Sequence, residues 1–160
     1  MAHPIKWFSM KTMAAQETHQ SLLKRLDSLT PHASRRWGKM TPHEMICHLT
    51  DCFELSLGER SASPATGLFQ RTFLKWGALY APVKWPKGFR TRPEIEQGNG
   101  GTAPVEFTRD RDRLVAVMHR FASTRDFGQT PHPFFGAMTA QEWKRWGFLH
   151  TDHHLRQFGV

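Results

Sequence analysis

Met138-Thr139-Ala140-Gln141-Glu142-Trp143 and Met40-Thr41-Pro42-His43-Glu44-Met45 carry the same local signal, Met-Thr-x-x-Glu. In such a box the threonine hydroxyl accepts from the third helical N–H while the glutamate reaches back to the threonine N–H, so each copy marks a helix start. Pro42, at the first helical position, strengthens the earlier copy, because a backbone N–H there would have no partner in the helix. From Pro42 the residues Met45, Ile46, Leu49, Cys52 and Phe53 recur at three- and four-residue steps and predict a helix to about Gly58. From Ala140 the series Trp143, Gly147, His150, His154 and Phe158 obeys the same rule, which places two imidazoles on a core-facing side with two aromatics.

Two further helices are read from the same periodicity. One runs from about Thr12 to Leu29, with Leu22, Leu23, Leu26 and Leu29 as its apolar side and Thr30-Pro31 as its stop. The other runs from about Glu106 to Thr124, with Leu114, Val117, Met118 and Phe121 inward and His119 on the polar side. Period-two alternation and Asn-Gly or Asp-Gly hairpins are missing, so strands are not expected. The sequence therefore predicts one all-α domain over residues 1–160, a four-helix bundle. A partly helical insertion, from about Ser61 to Pro104, separates its second and third core helices and ends in the loop Gln97-Gly98-Asn99-Gly100-Gly101-Thr102.

A chain of 160 residues can bury a core without disulfides or a structural metal. Cys47 and Cys52 stand five apart, which turns them in different directions on a helix, and they read as reduced thiols. Met1 to Met10 has no apolar run of signal-peptide length, and Leu68 to Val83 is interrupted by Arg71 and Lys75, so a cytoplasmic protein with no membrane span is expected. The formal charge is +8, concentrated between Arg60 and Arg92: Arg60, Arg71, Lys75, Lys84, Lys87, Arg90 and Arg92 with no acid among them. Phe69, Phe73, Trp76, Tyr80, Trp85 and Phe89 interleave with these cations. That pattern suits single-stranded nucleic acid or an anionic surface. The plainer reading is a helix and loop that turn their aromatics inward and their charges outward.

His150 and His154, four apart on one helix, would have Cβ atoms about 5–6 Å apart, close enough to grip one cation. In a chain with 10 His such a pair arises by chance about 0.6 times, so the spacing needs a third ligand from another helix. His48, seven residues past the Thr41 cap and beside the apolar stripe, is the candidate. Three neutral imidazoles leave positions open for water or substrate, the arrangement of a catalytic site. Asp51, one turn beyond His48, either orients a ligand imidazole or is a solvated helix carboxylate. Cys52 either joins the cation or is an inert buried thiol. His153 points about 100° away from the pair and is read as a support of the ligands or as surface. Gln157 is a further candidate to support His154. Serine-hydrolase elbows, phosphate-binding glycine loops, dinucleotide fingerprints and His-Glu-x-x-His are absent from the sequence.

Trp37-Gly38-Lys39-Met40-Thr41-Pro42, His48-Leu49-Thr50-Asp51, His132-Pro133-Phe134-Phe135-Gly136 and His153-His154-Leu155-Arg156-Gln157-Phe158-Gly159 resemble the DinB/YfiT-like superfamily of metal-binding four-helix bundles. More narrowly they resemble an uncharacterised, DUF-type branch of it, and the likeness extends from about Met10 onward. The family pattern is one histidine early in the second helix and His-x-x-x-His in the last, usually followed by Arg-Gly-Gln. This chain has Leu155-Arg156-Gln157 there, which leaves the ligands but loosens any carry-over of substrate. The resemblance implies His48, His150 and His154 as ligands of nickel, zinc or iron. It also implies a small-molecule substrate, a homodimer as the usual assembly, and S-transfer or isomerisation with a low-molecular-weight thiol whose carboxylates the basic segment would hold. A metal-dependent hydrolase using the same histidines, and a non-catalytic basic module, stay open as alternatives.

Overall fold

A computed structural model of the chain, describing residues 10–65 and 67–160 with backbone only for 68–70, shows where the four expected helices begin and end and resolves the insertion into two further elements. In chain order the elements are α1 (Gln16–Asp27), α2 (Pro42–Ser56), α3 (Leu68–Tyr80), a short 3-10 turn (Pro93–Ile95), α4 (Phe107–Ser123) and α5 (Ala140–Gln157). No strand occurs among the described residues, only an antiparallel bridge between His132 and Gly136. The expected all-α bundle is present, with α3 and the 3-10 turn forming the insertion. Met1 to Ser9, on which most of the signal-peptide reading rests, lies outside the described residues.

Both capping boxes form. Thr41 Oγ1 accepts from Glu44 N at 3.2 Å and Glu44 Oε2 accepts from Thr41 N at 2.7 Å. At α5 the corresponding distances are 3.2 Å and 2.8 Å. Two boundaries differ from the sequence reading. Glu106 is not the first residue of α4 but its cap, its carboxylate accepting from Thr108 N at 2.9 Å and Arg109 N at 2.7 Å. α1 starts at Gln16 rather than near Thr12, because Met13 N donates to Lys144 O at 3.0 Å and docks that segment on α5.

α2 packs along α4, α1 along α5, and α2 crosses α5. The core is built from Leu22 and Leu26 of α1, Met45, Ile46, Leu49 and Phe53 of α2, Leu114, Met118 and Phe121 of α4, and Trp143 and Leu155 of α5. These are the apolar faces that the periodicity marks. Gly147 lets α4 and the segment before α1 approach α5 closely: a Cβ there would sit 2.5 Å from Phe121 and 2.8 Å from the Met13 sulfur.

α2 is buried on nearly all sides, including Thr50, Asp51, Glu54 and Ser56. The insertion causes this. Gly100 and Gly101 lie so close to the backbone of the 3-10 turn and Glu96 that a Cβ would stand 2.7 Å from Pro93 O at the first and 2.9 Å from Glu96 O at the second, so only glycine permits the fold-back. The closed loop then lays Ile95 against His48 and Thr102 against Asp51.

The plain reading of the basic segment holds for Trp85, which packs on the core, and for the exposed Lys84, Lys87 and Arg90, but not for Phe73, Trp76 and Phe89 or for Arg60 and Lys75. Phe73, Trp76 and Phe89 are 64%, 66% and 60% exposed. Several of the cations turn inward instead: Arg60 reaches Asp51 and Glu54, and Lys75 reaches Glu142 and the carbonyl of Ala137. The buried carboxylates on α2 and α5 attract these cations, and Tyr80 also donates to Glu142, while Phe73, Trp76 and Phe89 are left exposed. No helix among the described residues is long and apolar enough to cross a membrane.

Candidate metal centre

The two capped helices cross so that His48 of α2 meets His150 and His154 of α5. Ring centroids are 5.3 Å apart for His48–His150, 5.0 Å for His48–His154 and 4.8 Å for His150–His154. One nitrogen from each ring falls in a group whose atoms all lie within 4.8 Å of one another. His48 and His154 are buried, and His150 keeps partial exposure.

The hydrogen bonds decide which nitrogens are free. Gln157 Nε2 donates to Trp37 O at 2.9 Å, so its Oε1 faces His154 Nδ1 at 3.0 Å and must accept from it. His154 is therefore protonated at Nδ1 and bare at Nε2. His48 Nδ1 donates to the Ile95 carbonyl at 3.2 Å, which leaves His48 Nε2 bare as well. His150 Nε2 lies 3.1 Å from the bare Nε2 of His154. Two imidazole ligands on one tetrahedral cation stand about 3.4 Å apart, from metal–nitrogen bonds of about 2.0–2.1 Å. The pair already has the spacing of ligands, and His150 Nδ1 is buried without a partner. Ring orientation fixed by an acceptor on the far nitrogen is what metal-ligating histidines require, and two of the three have it.

Burial pushes the pKa of all three below the usual value, those of His150 and His154 well below, with the neighbouring imidazoles adding to the effect. The cluster is neutral at pH 7. A cation there competes with no imidazolium charge, only with the N–H that His150 donates to His154.

Aromatic rings surround the cluster. Trp146, one turn before His150, stacks on it with centroids 4.9 Å apart. Pro82 ends α3, and the chain turns back so that Trp85 Nε1 donates to Ala78 O at 2.8 Å. That turn sets the Trp85 ring 6.0 Å from His150 and 6.2 Å from His153. Lys87 lies over the Trp37 ring at 4.7 Å. Trp85, Lys87 and the Ile95 carbonyl were not singled out as site groups in the sequence. The first two are in the aromatic-basic segment that hinted at them, whereas a backbone carbonyl has no signature in side-chain identity.

The candidate supports divide. Gln157 contacts His154 directly. His153 stands edge-on to His154 with its ring near Trp37 and Trp85, and its Nδ1 has no partner. Asp51 is neither of the things read from the sequence. It is fully buried and accepts from Thr102 N and Oγ1 at 2.7 Å and 2.6 Å and from Arg60 at 3.0 Å, so both its oxygens are committed to the loop that covers α2. Cys52 Sγ lies 3.7 Å from His48 Nε2, and burial raises its thiol pKa far above the ordinary value. His119, exposed as expected, pairs with His19 at 3.1 Å. Lys144, unmarked in the sequence, is buried, donates to the Phe121 and Ala122 carbonyls at the end of α4, and has its pKa pushed down to about 8 by burial.

A helical bundle with three convergent imidazoles on facing helices belongs to the class that builds metal sites in its core. The family model of the DinB superfamily matches residues 14–158, and the chain belongs to that superfamily. Searches of curated proteins and of solved structures find no match. The family and the histidine cluster are together compatible with metal binding, with the metal unidentified.

Proposed function

We propose that this protein is a divalent-metal-dependent enzyme whose cation is held by His48, His150 and His154, and that it transfers a low-molecular-weight thiol to an electrophilic small molecule. The observation that carries the reading is the meeting of three imidazoles, one nitrogen of each within 4.8 Å of the others, with His48 and His154 each oriented by a hydrogen bond on Nδ1. Nickel, zinc and iron(II) all suit imidazole ligands. When bound, such a cation supplies Lewis acidity and keeps a substrate sulfur as thiolate at neutral pH.

The residues of the chain do the rest. Gln157 and the Ile95 carbonyl keep the imidazoles in the ligating tautomer, and Trp146 and Trp85 limit water around His150. Lys87, beside Trp37, offers a cation to a carboxylate of the substrate. Among the described residues no carboxylate joins the histidine group, and Asp51 is committed to Thr102 and Arg60. A cation held by three imidazoles can itself lower the pKa of a bound water, so a panel of thiols is what separates transfer from hydrolysis. Two buried free cysteines fit a reducing, cytoplasmic setting.

Elemental analysis of purified protein beside His48→Ala and His154→Ala tests the site, and unchanged metal content in both variants would remove it. A panel of thiols against electrophilic and hydrolysable substrates tests the reaction. A rate independent of added thiol points to hydrolysis instead. The outward Trp76 and Phe89 near Lys84, Lys87 and Arg90 favour a second reading, a surface for single-stranded nucleic acid. Binding undetectable at about 50 mM salt removes that reading.

A further inference from the structure

His43 and Cys47 lie four apart on α2 and face α4, where Asp110 meets both. His43 Nε2 is 2.8 Å from Asp110 Oδ2, and Cys47 Sγ is 3.9 Å from the same oxygen. One ligand atom from each of the three lies within 4.8 Å of the others. Cys47 and His48 are neighbours in sequence and point about 100° apart on the helix, so this cluster is on a different side of α2 from the three histidines.

We propose that His43, Cys47 and Asp110 form a second metal site, one that binds a zinc-like divalent cation through nitrogen, sulfur and oxygen. Around a tetrahedral zinc the sulfur–oxygen and nitrogen–oxygen separations are about 3.6 Å and 3.4 Å, from bond lengths of about 2.3 Å to sulfur and 2.0–2.2 Å to oxygen or nitrogen. The present sulfur–oxygen and nitrogen–oxygen distances, 3.9 Å and 2.8 Å, lie within about 0.6 Å of these values. Val105 N and Glu106 N donate to Asp110 Oδ2 at 2.9 Å and 3.3 Å, which holds the carboxylate in place beside His43 and Cys47.

A small cavity of about 10 Å³, lined by Cys47, Thr50, Thr102, Asp110 and Arg113, adjoins the cluster. That is room for one water as a fourth ligand. Charge also matches. Asp110, Asp51 and Glu44 place negative charge around Cys47; of the nearby cations, Arg113 is already paired with Glu54 at 2.6 Å, and the exposed Arg109 stands 3.7 Å from Asp110 Oδ1. On binding, the Cys47 thiol gives its proton to solvent and ligates as thiolate, so thiolate and carboxylate together balance a 2+ ion. The site ties α2 to α4, the pair of helices that carries much of the core, and a cation there would brace α2 without taking part at the histidines.

The test is cobalt(II) titration of the full chain after chelation, read by thiolate-to-cobalt charge-transfer absorption, a signal that a cysteine ligand gives and histidine does not. The band is expected in the wild-type protein, in Cys52→Ser and in His154→Ala, and its loss is expected in Cys47→Ser. Persistence in His154→Ala separates this site from the three-histidine reading, whichever way that reading falls. Absence of a band in the wild type at millimolar cobalt overturns the proposal. So does a band that survives Cys47→Ser, or one lost in Cys52→Ser or His154→Ala. Should Cys47→Ser lose its helical circular dichroism, His43→Ala decides: at least a tenfold weaker cobalt affinity supports the site, and unchanged affinity overturns it.

Discussion

The Gln157 amide joins His154 to the backbone of Trp37, accepting from the imidazole at 3.0 Å and donating to the carbonyl at 2.9 Å. Gly38 lies against the same amide, with a left-handed φ of 79° and room for no Cβ, which would stand 2.5 Å from Gln157 Nε2. The loop before α2 thus sets the tautomer of a histidine at the end of α5.

Gln157→Ala should weaken divalent-metal affinity by about 10–100-fold, the usual cost of losing a partner that orients a ligand. Gly38→Ala, which displaces the same amide, should move affinity in the same direction. Calorimetric titration with zinc or nickel checks both, and wild-type affinity in Gln157→Ala would show that the amide does not support the site.

Asp51→Ala should cost about 1–3 kcal/mol, because it leaves the Thr102 N–H and hydroxyl without their buried acceptor while Arg60 keeps Glu54. Denaturant unfolding measures this. The metal content of the folded variant at saturating metal should stay at the wild-type level, since Asp51 touches none of the three imidazoles.

Gly147→Ala should be destabilising by about 1–3 kcal/mol, as expected for overpacking, because the new methyl meets Phe121 and Met13 at under 3 Å. At an open helical position the same change would be stabilising by about 1 kcal/mol, so the sign of the shift in unfolding midpoint reports the packing.

Acid should destabilise the fold well before carboxylates titrate. Burial pushes the pKa of His132 down to about 3, against an ordinary value of 6.5. Below 6.5 the unfolded chain takes up a proton that the folded chain refuses, so His132's contribution is complete above pH 6.5 and falls away as pH drops toward 3. The loss is about 1.4 kcal/mol per pH unit, or about 2 kcal/mol by pH 5. His19, His48, His150, His153 and His154 are shifted in the same direction. Unfolding midpoints from pH 7 to pH 5 check this, and a flat or rising profile contradicts it.

Much of the bundle was legible because its signals are local. A capping box spans four residues and an apolar stripe repeats within a turn, so the starts of α2 and α5, the buried faces of α2 and α4, and the inward side carrying His150 and His154 follow from short stretches of chain. The start of α1 and the cap at Glu106 were misread because contacts outside the helix set them: Met13 N on Lys144 O, and a glutamate where serine, threonine or aspartate is the common cap.

The amino-acid order alone determined four amphipathic helices and two imidazoles on one face. Tertiary structure decided which way α2 and α5 cross, and hence that His48 meets that pair. It also brought the Ile95 carbonyl to His48, gave Asp51 to Thr102 and Arg60 rather than to an imidazole, and turned Trp76 and Phe89 outward. The reason is range. Helix periodicity is written in neighbours three and four apart, whereas the partner of a buried polar group is chosen by whichever distant segment the packing delivers to it.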